Sequence, residues 1–174
     1  MIVSPDYAAF ALTYDAGKPQ AVWTTFVADL ETPVSTMLKL AESRANSFLL
    51  ESVEGGAVRG RYSVIGLKPD LIWRCFGARA EINESARYDP DAFVDCEDNA
   101  LDSMRALIRA SHIELPENLP PMAAGLVGYI GYDMVRHMER LPEPNPDVLH
   151  LPDAILMRPT IMAIFDSVED LVTL

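Results

Sequence analysis

The sequence predicts an α+β fold: mainly antiparallel sheet, with two or three helices packed on it. Three observations predict it. β-rich runs follow one another with only turn signals between them, so strands pair locally. Helical periodicity appears in two or three stretches, too few to supply the crossovers of a doubly wound parallel sheet. Hydrophobic residues make up 49% of the 174 and charged residues 23%, enough apolar side chain for a full core.

Residues 20–28 (QAVWTTFVA) are β-branched and aromatic and read as a strand. A helix start follows, with Thr32 as N-cap and Pro33 at the first helical position. Val34, Leu38, Ala41 and Ala45 then recur at helical spacing, with Met37 beside them. Residues 46–53 (NSFLLESV) read as a short buried strand, broken at Glu54-Gly55-Gly56. Arg61 to Leu67 is the next strand. Leu71–Phe76 and Ala78–Asn83 make a hairpin around Gly77. In its second arm Ala78, Ala80 and Ile82 alternate with Arg79, Glu81 and Asn83, which predicts a strand wet on one face.

A second helix runs from about Asp98 to Ala110, with Leu101, Met104 and Ile108 on one side and Leu107 alongside. The proline-rich stretch Leu115–Pro121 is a loop. Ala123–Ile130 is an apolar strand carrying glycine where another backbone comes close. A short helix over Asp133–Arg140 and a loop with Pro142, Pro144 and Pro146 lead to a last hairpin. Its arms are Thr160–Phe165 and Leu171–Leu174, with the turn near Asp166. That second arm stops inside a strand, as at a boundary cut through a longer protein.

Charge and composition exclude several classes. A net charge of −12 opposes phosphate binding, so neither nucleic acid nor an anionic membrane surface is a partner. No apolar run reaches the roughly 20 residues of a membrane span. The start MIVSPDYAAF has no signal-peptide pattern. Cys75 and Cys96 are too few for a disulfide framework and keep no metal spacing, so a cytoplasmic protein with free thiols is expected. His112, His137 and His150 are scattered. No phosphate loop, dinucleotide fingerprint, HExxH or GxSxG occurs. The Gly125/Gly128/Gly131 triplet has the wrong spacing for a dinucleotide site. Asp133 follows it and reads as a helix cap or, less simply, as an acid–base group. No catalytic residue and no metal ligand is therefore assigned.

One segment stands out: Leu49-Leu50-Glu51-Ser52, with Gly60-Arg61-Tyr62-Ser63 after a glycine turn. Glu51 and Ser52 end an apolar strand, so a carboxylate and a hydroxyl sit at the rim of what the strand buries. They suit the ammonium of an amino acid. Arg61 and Ser63 add donors suited to a carboxylate. Polar residues closing a hairpin edge fit the same pattern.

FLLESVEGG, followed by GRYSVIGLKP, resembles the N-terminal region of the large subunit (component I) of anthranilate synthase. AAGLVGYIGYDMVRHMERLP resembles that family's glycine-rich segment and the helix after it. RPTIMAIFDSVEDL is similar to its next hairpin. The three blocks keep the family's order from about residue 20 onward. The sister aminodeoxychorismate synthase family shares the fold but departs from the LLES and GRYS wording.

The resemblance implies that residues 1–174 are a single N-terminal domain of a longer two-domain subunit, with the catalytic C-terminal domain absent. The whole subunit would convert chorismate and ammonia to anthranilate and pyruvate, the first committed step of tryptophan biosynthesis. Magnesium would be bound by the absent domain, and a glutamine amidotransferase subunit would supply ammonia. L-Tryptophan would act as feedback inhibitor between the two domains. Carried over residue by residue, the resemblance puts Leu50, Glu51 and Ser52 in the inhibitor site, followed by Arg61, Tyr62 and Ser63. A free-standing amino-acid-binding module and an obligate scaffold are the competing classes.

Overall fold

The computed structural model describes residues 2–54, 58–120, 122–143 and 146–174. Its elements, in chain order, are α1 (Tyr7–Asp15), β1 (Thr25–Val27), α2 (Pro33–Ala41), β2 (Phe48–Glu54), β3 (Val58–Phe76), β4 (Arg79–Asn83), β5 (Val94–Asp95), α3 (Ala100–Ala110), β6 (Val127–Ile130), a 3₁₀ turn (Tyr132–His137), β7 (Ala154–Asp166) and β8 (Leu171–Thr173). Every ladder given by register is antiparallel, and the predicted α+β class holds. The chain forms two compact units. One comprises residues 1–68, 113–125 and 159–174; the other comprises 69–112 and 126–158.

In the first unit β8 lies between β1 and β7, and β2 pairs with β3. α2 forms as its sequence dictates. Thr32 caps it, accepting from the Ser35 amide at 3.1 Å, while Ser35 Oγ accepts from the Thr32 amide at 2.9 Å. Pro33 opens the helix, where its missing amide costs nothing. The helix ends at Ala41 rather than running on to Ala45, because Glu42 and Ser43 both take left-handed backbone (φ 48° and 63°). Ala41, Ile65, Leu67, Ala163, Phe165 and Val172 are the core here, with Met37 of α2, Phe26 and Leu49 packed against it.

In the second unit the hairpin around Gly77 stands as predicted, with Gly77 at φ 54°. The core holds Leu71, Trp73, Cys75, Ala80, Ala100, Leu107, Met134, Ala154 and Leu156. Trp73 is fully buried and donates its indole N–H to Ser103 Oγ of α3 at 3.1 Å. Gly128 lies flat against β7: a Cβ there would stand 1.9 Å from the Ile155 carbonyl oxygen. The close approach read from its glycine is real.

Several expectations are corrected. The strand over residues 20–28 shrinks to Thr25–Val27, because Trp23 instead bridges to Ser4. The separate strands 61–67 and 71–76 are one strand of 19 residues. Lys68-Pro69 reads as a break, yet Lys68 takes φ 50° within the strand, and its carbonyl accepts from Thr160 Oγ1 at 2.7 Å. The arm 78–83 is not wet on one face: Glu81 and Asn83 are 4% and 0% exposed. Arg74 and Arg79 pair with the Glu81 carboxylate, and Asn83 bonds to the Asp89 carbonyl and the Ser85 amide. α3 buries Ala100, Ser103 and Leu107, with Leu101 and Met104 packed against that core as predicted, but Ile108 is 51% exposed. The strand over 123–130 begins only at Val127. The helix over 133–140 is a 3₁₀ turn in which Asp133 caps nothing and pairs with Arg136. Helix α1 was not predicted. Within 46–53, Leu50, Glu51 and Ser52 are exposed, so that strand is not buried along its length. The predicted turn at Gly55-Gly56, and Pro121 and Pro144 of the loops, lie outside the described residues.

Candidate functional site

Alternation along a strand sends successive side chains to opposite faces. β2 and β3 pair with Leu49 opposite Ile65, Leu50 opposite Val64 and Glu51 opposite Ser63. Leu49 and Ile65 belong to the first unit's core. Glu51 and Ser63, one pair further along, therefore project from the same face, past the end of the apolar floor. The register then slips between Glu51 and Val53. Ser52 sits in that irregularity, where a bulge re-aims a side chain.

A cavity of about 330 Å³ opens at this point. Glu51, Ser52, Gly60 and Ser63 line it from β2 and β3, while Ala28, Glu31, Thr32 and Pro33 line it from the start of α2. Phe165, Asp166, Ser167, Asp170 and Leu171 complete it from the β7–β8 turn. Its size is that of a small-molecule site. Its wall is apolar at Phe165, Leu171, Ala28 and Pro33, and its rim carries four carboxylates.

Two of those carboxylates are already committed. Glu31 is held below the usual carboxylate range by hydrogen bonds, first from Lys39 and then from Ser35. Asp166 is held low chiefly by Arg61, whose Nε donates at 2.9 and 3.0 Å and whose second guanidinium nitrogen donates at 2.7 Å. Glu51 and Asp170 have no ion-pair partner among the described residues. Chemically the cavity offers two free carboxylates and hydroxyls beside an apolar wall. That combination suits a ligand with an ammonium group and a flat apolar body.

Of the six residues singled out in the sequence, Glu51, Ser52 and Ser63 come together at this cavity. Leu50 and Tyr62 do not line it; alternation places them on the other face of the ladder. Arg61 stands beside the cavity, bound to Asp166 and lying over the Tyr62 ring at 5.0 Å. Sequence reading missed Glu31, Asp166 and Asp170. Asp166 had been marked as a turn residue, and only the fold brings it, across more than a hundred residues, to Arg61. Among the described residues no three His, Cys, Asp or Glu side chains converge as metal ligands. No helix of the described residues is long and apolar enough to cross a membrane.

The fold is shared with a solved anthranilate synthase component I from Streptococcus pneumoniae. The TM-score is 0.53 at 18% identity, covering 84% of this chain and 30% of that one. Sequence goes further. The chain is 55% identical over 167 residues to anthranilate synthase component 1 of Cereibacter sphaeroides, covering 96% of this chain and 33% of the relative. It is 40% identical to that of Thermus thermophilus over 152 residues, covering 86% of this chain and 30% of the relative. No family model matches the sequence. By sequence the chain is similar to the anthranilate synthase component 1 proteins, and it spans about a third of the length of those it matches.

Proposed function

We propose that this chain is the N-terminal regulatory and structural domain of an anthranilate synthase large subunit, and that its β2–β3 cavity is its share of a tryptophan feedback site. The whole subunit would convert chorismate to anthranilate and pyruvate, with ammonia from a glutamine amidotransferase subunit and magnesium held by a C-terminal catalytic domain, in the cytoplasm. The observation that carries the reading is the meeting of Glu51, Ser52 and Ser63 at one cavity with an apolar wall. Glu51 and Asp170 would take the ammonium of tryptophan, Ser52 and Ser63 would hydrogen-bond its polar end, and the indole would lie toward Phe165 and Leu171. Arg61 would support the site from beside it, with Leu50 and Tyr62 on the opposite face of the same ladder.

Tryptophan bound there would inhibit by favouring one arrangement of this domain against the rest of the subunit. An inhibitor shifts such an equilibrium only by its differential affinity for the two states. This chain by itself would turn over no chorismate, because its sequence offers no catalytic motif.

The test is an inhibition curve for the full-length Ser52→Ala enzyme. Losing one hydrogen bond to a charged ligand should raise the inhibiting concentration of tryptophan roughly tenfold to a hundredfold, with uninhibited turnover nearly intact. Unchanged inhibition would remove Ser52 from the site.

A further inference from the structure

Arg61 stands beside the cavity, bound to Asp166 of its wall, and the simplest assignment would give it the carboxylate of the bound amino acid. Its own geometry argues otherwise. Asp166 Oδ2 accepts from Arg61 Nε at 2.9 Å and from its second guanidinium nitrogen at 2.7 Å, the two-pronged arrangement of a committed Arg–carboxylate pair. Asp166 is shielded, with its side chain 11% exposed. Its other oxygen accepts from the amides of Val168 at 3.0 Å and Glu169 at 3.3 Å. It thus closes the β7–β8 turn from inside.

The same turn is tied to β3 a second time at Arg61. The Ser167 amide donates to the Arg61 carbonyl at 2.8 Å, and Ser167 Oγ donates to it at 3.0 Å. The turn ends at Asp170, held in left-handed backbone at φ 53°, with its carbonyl accepting from the Ala28 amide at 3.2 Å. Asp166, Ser167, Asp170 and Leu171 make one wall of the cavity.

The geometry points to Arg61 and Asp166 as positioning residues: a two-pronged latch that fixes the β7–β8 turn as the cavity wall and aims Asp170 at the ligand's ammonium, with Arg61 leaving the ligand's carboxylate untouched. This rests on the reading of the cavity as a tryptophan site. It turns one of the residues expected to touch the ligand into one that acts through its neighbour, and it supplies what holds Asp170 in place at the cavity.

L-Tryptophan and tryptamine, which lacks the carboxylate, separate the two roles. In the full-length enzyme, titrated by calorimetry, Arg61→Gln and Asp166→Asn should each weaken both ligands by the same factor, roughly tenfold, and the double variant should lose no more than either. A loss with tryptophan but none with tryptamine overturns the proposal and gives Arg61 to the carboxylate. So do losses that multiply in the double variant. Amide hydrogen exchange at Val168 and Glu169 reads the latch without any ligand. Both amides should exchange faster in each single variant, at an unchanged unfolding midpoint for the rest of the chain, and unchanged rates overturn the latch. Wild-type enzyme that binds neither ligand overturns the tryptophan reading and with it the ligand role of Asp170, while exchange still decides the latch.

Discussion

Glu51 stands directly across the β2–β3 ladder from Ser63, on the face that carries Leu49 and Ile65 into the core. Leu50, between Leu49 and Glu51, belongs to the other face and is 43% exposed. The LLES segment is therefore split by strand alternation, with its two leucines facing opposite ways. Glu51→Gln in the full-length enzyme should weaken tryptophan inhibition about tenfold, by removing a charge-assisted hydrogen bond. Leu50→Ala should leave it within about twofold. A larger loss from Leu50→Ala in an inhibition assay would mean that the site wraps around the strand.

Trp73 and Ser103 support a stability prediction. Ser103 Oγ accepts from the buried indole and donates to the Ala100 carbonyl at 3.1 Å, tying β3 to the first turn of α3. Ser103→Ala takes the hydroxyl partner from the buried Trp73 N–H and leaves it only the weaker Cys96 sulfur nearby. The cost should be about 1–3 kcal/mol, read as a lower urea midpoint with unchanged slope. Ser85→Ala is the control, since its backbone amide, and not its hydroxyl, is what meets Asn83.

Legibility in the sequence followed the range of the physics. Local signals were readable: Thr32-Pro33 dictates a cap, Gly77 a hairpin turn, and Gly128 a close backbone approach, each within a few residues of its cause. Signals that depend on a distant partner were not. Glu81 and Asn83 look like solvent-facing positions until Arg74, Arg79 and the Asp89 carbonyl are brought beside them. Lys68-Pro69 looks like a strand end until Thr160 holds it in place. Helix α1 has Tyr7, Phe10, Leu12 and Tyr14 spread around it and buries none of its residues, so no apolar stripe announces it. At the site, the β2–β3 half was legible as polar residues ending an apolar strand. The β7–β8 half was not, because Asp166 and Asp170 read as ordinary turn residues.

Gly128→Ala should be among the most damaging single changes in the second unit. The added methyl carbon would stand 1.9 Å from the Ile155 oxygen and 2.8 Å from its carbonyl carbon, both backbone atoms with no rotamer to escape into. β6 must separate from β7 locally, at a cost of about 3 kcal/mol or more. Gly77→Ala tests a different mechanism. Nothing lies within 4 Å of its would-be Cβ, and only its left-handed φ of 54° resists the change, so its cost should be smaller, about 1 kcal/mol. Equal midpoints for the two variants in denaturant melts would refute the ranking.

The last prediction concerns Cys75, which is fully buried in the second core. Burial pushes its thiol up to about 11, with the negative charge of Asp153 adding to the effect. Burial raises Cys96 as well. The thiolate is the nucleophile, so a thiol held neutral is inert. Iodoacetamide at pH 8 should modify the folded protein slowly and the urea-unfolded protein fast. The same shift makes stability depend on pH. A cysteine in the unfolded chain loses its proton near pH 8.5, whereas Cys75 in the fold keeps it to about 11. Between those values the unfolded state binds fewer protons than the folded one, so stability falls as pH rises. Below about pH 8.5 both states are protonated and this group contributes no slope. Tyr129, raised by burial, adds to the decline at higher pH. Urea midpoints at pH 7.5 and 10, measured for wild type and for Cys75→Ala, isolate the thiol's part. The substitution should lower the midpoint at pH 7.5 by opening a small gap in the core, and should shrink the drop between the two pH values. An identical drop in both proteins would mean that Cys75 ionises in the folded chain at its ordinary pH.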